Sequence, residues 1–236
     1  MGVGFSFALC GFVFILLITF VFYSKKRLKN FDTSVFSKLL LATLFGCLIG
    51  ILCYYFCVNQ VGVVSKIIGK LYLTFLITWL ILFTEYVLII SKKEFEILRE
   101  KVQSKMFIVW GLLNIIMFIL PINIHNQNNE IYTFGSSVNF TYIICGVCAV
   151  IWLVCLIINF KNIKNKKYVP VISVIILGIV SSIIQNIFPE FRIMTFVLVI
   201  VTSIMYFTIE NPDLKTIEAL NSAKDQAEKA NRAKSD

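Results

Sequence analysis

LYLTFLITWLILFTEYVLII, residues 71–90, decides the fold. The run carries a single charge, Glu85, and contains neither proline nor glycine. As an α-helix it would extend about 30 Å, the thickness of a bilayer's hydrocarbon core. It lacks the polar–apolar alternation that a membrane β-strand shows. Six further runs of the same kind occupy residues 3–23, 39–58, 106–122, 140–160, 169–187 and 193–209. With 58% hydrophobic residues, 15% charged residues and 22 phenylalanines in 236, the composition is that of an integral membrane protein. The expected fold class is all-α: an integral membrane seven-helix bundle over residues 1–210, then a cytoplasmic coiled-coil-like helix over 211–236.

The net charge of +9 does not point to nucleic acid, because the basic residues lie between apolar runs and not along one face. Residues 24–38, 91–105, 161–167 and 211–236 hold nineteen of them, and the alternate linkers hold three, Lys66, Lys70 and Arg192. Basic linkers stay in the cytoplasm. The asymmetry predicts an outside N-terminus, a cytoplasmic C-terminus and a bilayer as the first partner. Residues 1–23 lack a basic leader and are not read as a cleavable signal peptide. Cys10, Cys47, Cys53, Cys57, Cys145, Cys148 and Cys155 all fall inside apolar runs, so no disulfide is expected. Cys145-x-x-Cys148 has a metal-like or redox-like spacing but neither a second pair nor a nearby histidine. No metal site and no cofactor are expected.

Two linkers have further content. Residues 94–105 place Phe95, Leu98 and Val102 on one side of a short amphipathic helix, against the membrane surface or as a docking face for the tail. Residues 121–139 are rich in asparagine and lack lysine and arginine, which predicts a solvated loop or short lid. The single histidine, His125, lies there. That side of the membrane is wrong for phosphoryl transfer from ATP.

The tail, NPDLKTIEALNSAKDQAEKANRAKSD over residues 211–236, has a different character. Asn211-Pro212-Asp213 is a helix-start signature. Asp225–Lys229 and Glu228–Arg232 are acid-before-base pairs at i,i+4. From Leu220 through Ala223, Ala227 and Ala230 the apolar spacing alternates three and four, as a two-stranded coiled coil requires. Composition alone leaves open a solvated helical tail. Residues 223–235, AKDQAEKANRAKS, resemble the signalling helix that precedes the dimerisation and phosphotransfer domain of bacterial sensor histidine kinases. The resemblance covers about 14 residues, and the hydrophobic part fits the family in layout only. It implies a homodimer through the C-terminal helix. It also implies a kinase core beyond Asp236 that passes phosphate to a response regulator, and a bacterial cytoplasmic membrane as the location.

Several residues could carry function. Glu85 is the one acidic residue well inside a run, and a buried ionisable group in lipid is costly. It could also snorkel to the nearby interface. Asn114 is a weaker candidate, since one amide often bridges helices. Polar residues gather near the outer run ends, namely Asn59, Gln60, Asn123, His125, Gln185, Asn186, Glu190 and Arg192. They would line a ligand cup if the bundle closes there, although helix ends in water are polar in any case. Gln185 and Asn186 stand out because they precede the Phe188-Pro189 break. Ala42, Gly46 and Gly50 form a small-residue stripe suited to close helix packing, within the bundle or between copies.

These observations favour a membrane sensor that passes an extracytoplasmic or intramembrane stimulus, such as a small ligand, to a dimeric cytoplasmic helix. The alternative, a small-molecule transporter or channel, is disfavoured because only Glu85 is charged within a run and no inverted repeat is evident. A retinal receptor needs a lysine in the seventh run, and residues 193–209 have none. No set of acid, base, nucleophile or metal ligands converges, so the chain is expected to have no catalytic site of its own.

Overall fold

The computed structural model describes residues 3–24, 31–59, 62–91, 99–127, 130–162, 166–188, 193–210, 220–224 and 226–228. The apolar runs are helices: α1 Val3–Ser24, α2 Phe31–Val58, α3 Gly62–Ser91, α4 Arg99–Ile119, α5 Ser136–Ile158, α6 Val169–Ile187 and α7 Met194–Met205. Between α4 and α5 lies an antiparallel hairpin, β1 Asn123–Gln127 paired with β2 Glu130–Phe134.

Six of these helices, α1 to α6, are long and apolar enough to cross a membrane. The seventh run forms a shorter apolar helix, Met194–Thr208, so among the described residues six helices have full spanning length. At 12 residues α7 covers only about 18 Å. Beyond it the hydrogen bonding changes to a π segment at Tyr206–Glu210. The apolar side chains on the outside of the bundle, among them Phe20, Phe107, Ile119 and Ile157, are what a multi-pass membrane protein presents to lipid.

Helix α3 is the axis of the packing. Its apolar window is 67% buried inside the protein, against 33% or less for the other five long helices. It packs against α2, α4 and α5, while α7 packs against α1, α2 and α6. The core of α3 is an aromatic ladder. Trp79 stacks on Phe83 with centroids 4.9 Å apart, and Phe83 meets Trp152 of α5 edge-on at 5.0 Å. The small-residue stripe of α2 faces α3. The α-carbon of Gly46 lies so close that a Cβ there would run into the Phe75 ring, and Gly50 faces Tyr72. Ala42 lies further along the same helix beside a cleft described below.

The linker between α4 and α5 is more ordered than the solvated loop its composition predicts. Asn123 pairs with Phe134, Ile124 with Thr133 and His125 with Tyr132. The His125 and Tyr132 rings stack at 4.7 Å. Ile131, Tyr132, Thr133 and Phe134 have side chains that suit a pleated strand. Gly135, with φ 116°, turns the chain back into α5, where the Ser137 amide donates to the Pro121 carbonyl and its hydroxyl to that of Leu120. Of the expected amphipathic linker helix, residues 94–98 lie outside the described residues. Arg99 to Lys105 form the opening turns of α4 itself.

Candidate functional site

The positions of two cavities follow from how α3 is held. Each tryptophan of the chain donates its indole N–H to a threonine hydroxyl, and each bond joins α3 to a different helix. Trp79 Nε1 reaches Thr202 of α7 at 3.3 Å, Trp110 Nε1 of α4 reaches Thr78 at 2.8 Å, and Trp152 Nε1 of α5 reaches Thr84 at 3.0 Å. A buried indole needs such a partner. Tyr72 Oη lies 2.6 Å from Thr195 Oγ1 of α7. At the other end Tyr86 Oη donates to the Lys167 carbonyl and Tyr168 Oη to that of Ile90.

The first cavity, of about 210 Å³, lies at the hairpin end, enclosed by α3, β2, α5, α6 and α7. Leu73, Leu76, Leu80, Val138 and Leu198 supply apolar wall. Tyr72, Tyr132, Thr133, Thr141, Tyr142, Ser182 and Gln185 add hydroxyl and amide groups. No charged side chain lines it among the described residues. Helices α5 and α6, which border it, do not pack closely on each other. Sparse polar groups on apolar walls are the usual make-up of a small-molecule site, and the absence of charge suits an uncharged ligand.

The second is a cleft of about 760 Å³ at the opposite end, between α2, α3 and α4. It is bordered by Lys38, Ala42, Thr78, Glu85, Glu100, Phe107 and Trp110. Glu85 is 4% exposed, and its Oε1 has no hydrogen-bond partner. The two cavities lie on opposite sides of α3. Tyr72, Leu73, Leu76 and Leu80 point one way, and Thr78, Ile81, Leu82 and Glu85 the other, roughly 180° apart at about 100° per residue.

The candidate residues read from sequence therefore separate. Gln185 lines the hairpin cavity and Glu85 the cleft. Asn114 is buried in α4 away from both, with Nδ2 donating to the Trp110 carbonyl at 2.8 Å and Oδ1 unpartnered. Asn123 is exposed on β1. Asn186 belongs to α6, and its side chain lies outside the described residues, as do Gln60, Glu190 and Arg192. Leu220, Ala223 and Ala227 are helical and exposed, and Ala230 is outside the described residues. Sequence reasoning did not find Tyr72, Tyr132, Thr141, Tyr142 or Ser182. Same-face spacings such as Tyr72–Leu76–Leu80 on α3, Thr141–Cys145 on α5 and Ser182–Gln185 on α6 were the local signals available for the helical ones. Among the described residues no group of three or more His, Cys, Asp or Glu could hold a metal ion. No protein-family model matches the chain, and no curated protein matches it significantly.

Proposed function

We propose that the chain is the membrane sensor and signal-transducing input region of a two-component histidine kinase. In this reading a small uncharged ligand, or a change in the surrounding membrane, is detected at the hairpin cavity. The N-terminus and the hairpin face outward, and the C-terminal helix dimerises in the cytoplasm of a bacterial cell. It regulates a kinase core that phosphorylates a response regulator.

The observation that carries this reading is the course of α7. Its first turns supply Met194 and Leu198 to the hairpin cavity. Thr195 and Thr202 tie it to α3, and it then leads through Tyr206–Glu210 toward the tail. A change of packing around the cavity thus has a helical route as far as Glu210. The tail wording and the basic-residue asymmetry support the same assignment. The transporter alternative gains nothing from two cavities on opposite faces of one helix, since a permeation path needs them to communicate.

Sequencing past Asp236 tests the proposal, together with incubation of membranes holding the full-length protein with labelled ATP. The expected result is a histidine box, an ATP-binding domain and acid-labile phosphate on the protein. A different kind of domain, or none, would overturn it.

A further inference from the structure

The Glu85 cleft is not used by that reading. A carboxylate at 4% exposure with an unpartnered oxygen is costly to hold inside an apolar bundle. Neither Glu85 nor Lys38, which borders the same cleft from α2, forms an ion pair among the described residues. The buried negative group thus faces a cavity of ligand size, with no ion-pair partner among the described residues.

The walls indicate what could supply one. Phe107 and Trp110 stack at 5.6 Å with 26° between their planes. The Trp110 indole is fixed by its bond to Thr78. Aromatic faces attract organic cations, and most strongly where water is excluded. Ile81, Leu82 and Met106 provide apolar surface for a carbon body. A hard divalent ion would want about six oxygen ligands, whereas among the described residues only Glu85 and Glu100 bring carboxylates to the cleft. We propose that this cleft binds an alkylammonium group, held by the Glu85 carboxylate against the Phe107–Trp110 wall with its carbon chain along α3. The group could belong to a free amine or to an amine-bearing lipid headgroup.

The test uses purified chain in detergent, titrated with hexylammonium chloride and, in parallel, with hexanol, its uncharged counterpart. Tryptophan fluorescence and the thermal unfolding midpoint are read together. Hexylammonium is expected to give a saturable fluorescence change and a higher midpoint, and hexanol neither. Glu85→Gln should weaken hexylammonium binding at least tenfold, and Glu85→Asp should recover part of it. Equal responses to the two probes, or a Glu85→Gln variant that binds as well as the parent, would overturn the proposal. So would the absence of any response in the parent protein. Repeating the titration in nanodiscs separates the sources. Weaker hexylammonium binding in phosphatidylethanolamine than in phosphatidylglycerol assigns the site to a lipid headgroup, and equal binding assigns it to a free amine. Because no kinase output is measured, the result is independent of the sensor assignment.

Discussion

Trp79 of α3 and Thr202 of α7 are bonded across 3.3 Å although 123 residues separate them in the chain. Thr202 also has Thr43 Oγ1 of α2 at 3.2 Å, so one hydroxyl is the meeting point of three helices.

Thr202→Val keeps the shape of the side chain and removes that hydroxyl, leaving a buried indole N–H unpaired. Hydrogen bonds between membrane helices contribute modestly, so the expected loss is about 1 kcal/mol. Thr202→Ser should retain most of the stability. Thermal unfolding in detergent compares the three proteins, and a valine variant that melts with the parent would show that the bond contributes nothing.

Gly46→Ala places a methyl group against the Phe75 ring. Overpacking of this kind costs about 1–3 kcal/mol. Gly146→Ala is the control, since a Cβ there meets nothing within 4 Å. The expected order of midpoints is parent, then Gly146→Ala close behind, then Gly46→Ala well below. Two glycine variants that melt together would mean that α2 can shift away from α3 at little cost.

Topology can be checked on a cysteine-free background. His125→Cys in the hairpin should react with an impermeant thiol reagent added to intact cells, and Lys161→Cys only after the cells are opened. The reverse pattern would invert the proposed orientation, and with it the side from which each cavity is reached.

The tail prediction separates a signalling helix from a tether. In the proposed sensor kinase, one residue inserted after Leu220 would rotate everything helical beyond it by about 100°, whereas seven residues would restore the phase. The first insertion should lock output on or off, and the second should leave it regulated. Identical output from the two would reduce the tail to a flexible connection.

The helices were legible because a continuous apolar run has few alternatives in a chain of this composition. What the runs do not contain is their arrangement. Leu71–Ile90 reads much like its neighbours, yet α3 is the buried axis because Thr78, Trp79 and Thr84 find partners 32, 123 and 68 residues away. Pairings at such separations leave no periodic trace. The hairpin was missed for another reason. Asparagine content suggested solvated loop, while Ile131 to Phe134 carried strand propensity and Gln127 pairs with Glu130 across a two-residue Asn-Asn connection, a recognised hairpin length. Of the two cavities, Gln185 in the first and Glu85 in the second were readable as polar residues within apolar runs. The hydroxyls of Tyr132, Thr141 and Ser182 were not, because only the closed bundle brings them together.

The π segment at Tyr206–Glu210 makes the exit from the bundle a point of adjustable phase. A π turn takes up one more residue than the α turn it replaces. Were these five residues to return to α bonding, the surplus residue would pass down the chain. Any helix continuing beyond would then turn by about 100° without a bond being broken in the backbone or a residue being added. That would be the same rotation a one-residue insertion imposes permanently, reached through a change of hydrogen-bond partners within a single turn.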